Sequence, residues 1–189
     1  IDNYKHDADV VVIGDNCKEA FLCGSHTYKK YNGLITLMGP AVQSILDKTV
    51  TEKHLNIRNL QDADRCFNVK ITNVFSDVKK ISKNPSLVLI EPYIVSGSSA
   101  DKNTHTSCIA QFTTLEEAKS FVSYLNTRLV RFNVLINAYT VAIINDETWS
   151  FVPAPEAFDH IFTDQELYTK YGLSDDEVKL IESVIKARK

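Results

Sequence analysis

The sequence predicts an α/β (α+β) protein: a mixed or antiparallel sheet packed on one long amphipathic helix, with a short two-helix C-terminal tail. Three observations lead there. Thr113 to Asn137 places Ala118, Phe121, Val122, Leu125, Leu129, Phe132 and Ile136 at spacings of three and four, so they share one helical face. Phe67, Val69 and Ile71 alternate with Asn68, Lys70 and Thr72, the period-two pattern of a half-buried strand. Thr163-Asp-Gln-Glu166 and Ser174-Asp-Asp-Glu177 each read as a capping box ahead of a short apolar stretch.

In chain order, Asp9 to Gly14 is a short apolar run ending in glycine, expected as a buried strand. Phe21 to Cys23 and Leu34 to Met38 read as two more strands, and Pro40 opens a short helix over Ala41 to Leu46. After the alternating strand at Cys66 to Phe75 comes a basic connector, Ser76 to Asn84. Leu87 to Val95 is strongly β-prone, and Pro92 within it marks an edge or a bulge because it cannot donate to a ladder. Ser96 to Thr106 is small, polar and loop-like, and Ser107 to Phe112 is the returning strand that runs into the long helix. In that helix Thr114 is the N-cap, paired with Glu117, and Tyr124, Arg128, Arg131 and Leu135 form a second line beside the apolar face. Tyr139 to Ile144 and Trp149 to Val152 suit a hairpin around Asn145 to Thr148; the other reading lets the long helix run on to about Ala142. Pro153 and Pro155 end regular structure, and Gly172 stops the first tail helix. The division expected is an α/β unit over 1–155 and a helical tail over 156–189 packed on it.

The 189 residues fit one medium domain or two small ones, with ample material for a core. The apolar runs are far shorter than the roughly 20 residues that span a bilayer, so no membrane partner is expected. Asp2, Lys5, His6, Asp7 and Asp9 crowd the opening, unlike a secretion signal, and Ile1 in place of an initiator methionine is the pattern of a piece of a longer protein. Cys17, Cys23, Cys66 and Cys108 form no C-x-x-C pair, which fits reduced core thiols and a cytoplasmic location. The net charge of −3 hides an uneven spread: Lys48 to Lys83 is basic, the tail acidic. The tail acids suit helix N-termini, whereas the basic middle offers a field for an anionic partner.

The common catalytic kits are missing from the sequence. It has no H-E-x-x-H, no G-x-x-x-x-G-K-[ST], no G-x-S-x-G and no G-x-G-x-x-G after Ile13. Asp77, Lys79 and Glu91 form a faint version of a metal-dependent nuclease site, in which acids and a lysine surround Mg²⁺. On residues alone the chain is an α/β binding module.

Four stretches, Thr113 to Phe132, Phe151 to Pro153, Phe162 to Leu173 and Ser174 to Ser183, stand in an order that resembles the C-terminal region of bacterial restriction–modification proteins. In these an adenine-specific DNA methyltransferase, sometimes fused to a restriction endonuclease, carries a target-recognition domain after its catalytic domain. The resemblance runs from about Thr104 to Ser183 and leaves the first hundred residues unmatched, as a half that varies with the DNA read would be. Phe162 stands where such proteins usually have Trp. The Asn/Asp-Pro-Pro-Tyr/Phe signature of the methyltransferases is absent. The resemblance therefore implies a recognition part alone, with no cofactor in this fragment: S-adenosylmethionine, Mg²⁺ and any cleavage belong to catalytic parts elsewhere in the parent.

The partners so implied are double-stranded DNA and the methyltransferase catalytic domain of the same parent chain. Phosphate contacts are expected from Lys29, Lys30, Lys79, Lys80, Lys83 and Lys102, and base reading from Ser96, Ser98, Ser99, Asn103, Thr104 and His105, with Arg58 and Asn59. Arg128 and Arg131 either face DNA or brace a neighbouring carboxylate or carbonyl. The rival readings are the nuclease site above and a protein-interaction module that docks on the methyltransferase body.

Overall fold

The computed structural model describes residues 10–12, 35–37, 40–49, 53–61, 65–74, 89–95, 107–136, 149, 152–185 and 187–188. Its class is α+β. Strand β1 (Val10–Val12) pairs antiparallel with β2 (Ile35–Leu37), Val11 lying opposite Thr36. Helix α1 (Pro40–Thr49) begins on its proline, whose missing N–H costs nothing at that position, and buries Val42, Ile45 and Leu46. A 3₁₀ turn follows at Ile57–Leu60, where the Asn56 side chain accepts the Arg58 N–H at 3.0 Å.

The main sheet holds β3 (Phe67–Val74), β4 (Leu89–Val95) and β5 (Ser107–Phe112) in the order β4-β3-β5. Both neighbours run antiparallel to β3, so β4 and β5 are parallel to each other. The returning strand therefore does not pair with the strand that precedes it; β3 lies between them. The register passes through Pro92, opposite Ile71, without a bulge, so proline here marks the edge strand among the described residues. One face carries Val69, Ile71, Ile90, Cys108, Ala110 and Phe112, all buried in a single core cluster with the helices. Asn68, Lys70 and Thr72 point the other way but are not fully open. Asn68 is buried, because Gln111 donates to its Oδ1 at 2.9 Å and the 3₁₀ turn packs along β5.

Instead of one long helix there are two. Helix α2 (Leu115–Asn126) starts on the complete Thr114–Glu117 capping box and lies across the sheet, with Phe121 against Phe112 at 4.9 Å between ring centroids. Thr127 then adopts an extended conformation (φ −62°, ψ 149°), and α3 (Arg128–Ile136) begins directly after it. The break has local causes. The Thr127 hydroxyl and N–H both bond the Tyr124 carbonyl, at 2.7 and 3.1 Å, and the Asp164 carboxylate accepts the Arg128 N–H at 2.5 Å. Side-chain bonds of this kind offer the backbone an alternative to continuing a helix. Because the break takes a single residue, Leu129 and Phe132 remain buried, and α3 shows no solvent face from Leu129 to Leu135, which are buried without exception.

Near the C-terminus, α4 (Asp164–Lys170) and α5 (Asp175–Val184) flank a tight turn. Gly172 supplies φ 59°, its N–H bonding the Thr169 carbonyl while the Leu173 N–H bonds that of Tyr168, which is a Schellman stop. Both bonds of the capping box at Ser174 form; at Thr163 only the bond from the Glu166 N–H does. Helix α5 packs on α1 and α3, and α4 on α3. Of the strand expected at Trp149–Val152 only the two end residues are described, and the Val152 N–H bonds the Trp149 carbonyl at 2.9 Å. The expected elements at Phe21 to Cys23 and Tyr139 to Ile144 lie outside the described residues. Among those described, no helix is long and apolar enough to cross a membrane.

Glu177 ties α5 to α1. Lys48 Nζ lies 2.7 and 3.0 Å from its two carboxylate oxygens, and the Ser174 N–H donates to it at 2.6 Å. Burial alone would raise this carboxyl, but the bonds from Lys48, Ser44 and Ser174 outweigh it and hold the group at about 2. A depressed carboxyl stabilises the fold above its unfolded value, 4.5, and that stability is lost as the pH falls through about 2. Lys48→Met is expected to cost about 1 kcal/mol at neutral pH, since the lysine is partly solvated and screened. It should also shift the onset of acid unfolding upward in pH, read by urea melts between pH 2 and pH 7.

Candidate nucleic-acid interface

The strand register fixes what leaves each end of the main sheet. Val74 and Leu89 face each other at one end, and Ser107, opposite Thr72, enters β5 at that same end. The connector with Lys79, Lys80 and Lys83 starts after Val74 and returns at Leu89, while the polar loop that includes Lys102, Asn103, Thr104 and His105 runs into Ser107. Val95, where that loop departs, lies opposite Asn68 at the other end. The sheet thus brings together at one end the attachment points of the two segments that carry most of the expected DNA contacts. Lys29, Lys30, Lys79, Lys80, Lys83, Ser96, Ser98, Ser99, Lys102, Asn103, Thr104 and His105 themselves lie outside the described residues, as does Asp77.

Four expected contacts are described. Arg58 and Asn59 are exposed on the 3₁₀ turn that packs against β5, where Gln61 Nε2 donates to the Ile109 carbonyl at 2.9 Å and holds the turn to the strand. Arg128 and Arg131 are braces. Arg128 Nη1 reaches Glu182 at 2.6 Å and Asp164 at 3.4 Å, so one guanidinium joins the start of α3 to both α4 and α5. Arg131 is fully buried, and its Nε donates to the carbonyls of Asn126 at 3.1 Å and Thr127 at 3.3 Å, the chain ends that the helix break leaves open. A phosphate outside the protein cannot meet a guanidinium at that depth, so the DNA contact expected of Arg131 is withdrawn. Arg128 is spoken for by two carboxylates.

The Arg131 site is electrostatically tense. Its two terminal nitrogens find no hydrogen-bond partner among the described residues. Burial, and after it the Arg188 guanidinium, push Arg131 down to about 10, against the pull of Asp164. It stays charged at neutral pH. Arg188 lies across the Asn126 side chain and the Ile90 carbonyl, and so joins the C-terminus to α2 and to the edge strand. Nothing in the spacing of the sequence points from Arg188 to Ile90, 98 residues away. Beside it a surface cavity of about 460 Å³ is lined by Ser123, Asn126, Thr127, Ile161, Phe162, Asp164 and Arg188.

Of the nuclease triad only Glu91 is described, exposed on β4 opposite Thr72. No protein-family model, no curated protein and no solved structure matches this chain.

The two arginines should part company on mutation. Arg128→Met strands two carboxylates and is expected to cost about 1–2 kcal/mol. Arg131→Met removes two unpartnered donors and a buried charge but also the Nε bonds to the Asn126 and Thr127 carbonyls, so gain and loss oppose and its net cost should fall below that of Arg128→Met. Urea denaturation of the two variants side by side tests the pair.

Proposed function

We propose that the chain is a DNA target-recognition module of a bacterial restriction–modification protein, gripping and reading duplex DNA without chemistry of its own. Residues 1–155 form the reading unit and 156–189 buttress it. The parent's adenine-specific methyltransferase domain is the partner that holds S-adenosylmethionine. What supports this is the shared sheet end at Val74, Leu89 and Ser107: a lysine-rich connector and a polar loop attach there together. Phosphate contacts set affinity and register without carrying sequence, whereas hydroxyl, amide and imidazole groups read base edges. A basic segment beside a small polar one supplies both kinds of contact from one rigid support. Cytoplasmic location follows from the role. The four ordered stretches from Thr113 to Ser183 supply the family resemblance.

Fluorescence anisotropy with a mixed-sequence duplex, from low to physiological salt, tests the reading. Binding should weaken with salt, log K falling by about 0.9 per decade of salt for each phosphate contacted. Replacing Lys79, Lys80 and Lys83 together with Ala should weaken binding to every duplex alike and flatten that slope. Replacing Ser98, Asn103 and His105 should instead alter which sequences are preferred and leave the slope near its original value. Unchanged affinity and slope in the lysine variant would remove that connector from the interface. No binding at low salt, with binding to the methyltransferase body retained, would replace the reading by the docking module.

A further inference from the structure

His160 sits between two carboxylates. His160 Nδ1 is 2.7 Å from Asp159 Oδ1, and its Nε2 is 2.7 Å from Glu166 Oε1. A neutral imidazole carries one N–H and one lone pair, and a lone pair aimed at a carboxylate is repelled. Both contacts are satisfied together only by the imidazolium. The ring also lies on Phe162, 4.2 Å between centroids, and Phe162 is seated in the core against Tyr124 at 4.9 Å. The segment before α4 is therefore held from two sides: by aromatic packing onto α2, and by a charged bridge onto α4.

The second half of the observation is a missing bond. At Thr114 and Ser174 the glutamate three residues on bonds back to the cap's own N–H. Thr163 and Glu166 have the same spacing and the same extended cap geometry, and the Thr163 hydroxyl accepts the Glu166 N–H at 3.2 Å. Only the return bond from the Glu166 carboxylate is not made. That carboxylate is on His160.

We propose that His160 is a pH-dependent clasp: protonated, it draws Glu166 away from the helix cap to hold the 156–163 segment, and on losing its proton it returns Glu166 to the Thr163 N–H. The charged groups around the ring are Glu156 and Asp159 from its own segment, and Glu166 and Lys170 from α4; all four line the shallow cavity of about 250 Å³ at the ring. Three acids against one base favour the cation. The bonds to Asp159 and then to Glu166 hold the imidazolium above the ordinary histidine value of 6.5. The sign follows. A group raised on folding stabilises the clasped state below 6.5, and that contribution fades as the pH rises through its folded value. Above that window the two carboxylates lose their shared counter-charge, and Glu166 has an unpaired backbone donor three residues away.

The test is a histidine and amide NMR titration of the full chain, with His160→Gln used to assign the imidazole signals. Expected are a His160 midpoint above 6.5 and a Thr163 amide resonance that moves with that same midpoint. In Glu166→Gln the Thr163 movement should vanish and the His160 midpoint should fall. In Asp159→Asn the midpoint should fall while Thr163 still moves. A midpoint at or below 6.5, a Thr163 amide blind to His160, or one that still follows it in Glu166→Gln would each overturn the proposal.

Discussion

A helix buried on every side sets the terms for the rest of this protein. Leu129 to Leu135 leave α3 with no solvent face, so each side must be covered by something else and the polar groups on it can be met only from inside. The covering comes from α2, α4, α5 and the edge strand β4. The answering is done by few groups. Asn133 donates to Thr49 at 3.1 Å, which in turn bonds the Ile45 carbonyl within α1, and Asp164 takes the first N–H of α3. Remote segments are thereby committed to the same core. Lys48 with Glu177 extends that commitment to the surface, where α1 meets α5.

The junction at Thr127 shows how charge serves this architecture. A break between helices leaves carbonyls at the end of one and amides at the start of the next. Here an arginine answers the carbonyls and an aspartate one of the amides. Arg131 reaches back to Asn126 and Thr127, Asp164 reaches in to Arg128, and the Arg128 side chain then bridges Asp164 and Glu182. The two arginines that a sequence reader would give to DNA are thus consumed by a joint. Their spacing of three on a largely apolar helix has the same appearance in both roles. The reading unit, in the proposed function, must draw its positive charge from segments outside the helices.

Much of the fold was legible because its signals are local. The Thr114–Glu117 and Ser174–Glu177 boxes, the Gly172 stop, the alternation of β3 and the edge position of Pro92 each follow from a few neighbouring residues whose chemistry admits one arrangement. The helix break was not legible: apolar spacing continues across Thr127, and what stops the helix is a carboxylate 36 residues on, along with a threonine that bonds its own backbone. The sheet order was hidden for a related reason. Ser107 to Phe112 follows a short polar loop after β4, a pattern that reads as a hairpin, yet pairing across β3 is a choice made by the whole core. Of the candidate interface the sequence marked the segments by composition, and the strand register shows where two of them attach. Glu166 was read as a cap residue from its spacing alone; His160, six residues earlier, competes for it through space.

Pro92 has a meaning for the company this protein keeps. An edge strand normally presents a row of backbone donors and acceptors on which a foreign strand can grow. The ladder between β3 and β4 runs unbroken through Pro92, so among the described residues the donor that proline lacks is missing from the side away from β3, where Arg188 also takes up the Ile90 carbonyl. A second chain laid along β4 would meet a gap there and could not zip past it. The sheet therefore resists growth by self-templating at that edge, and a sequence rich in valine and isoleucine is kept from becoming an adhesive one.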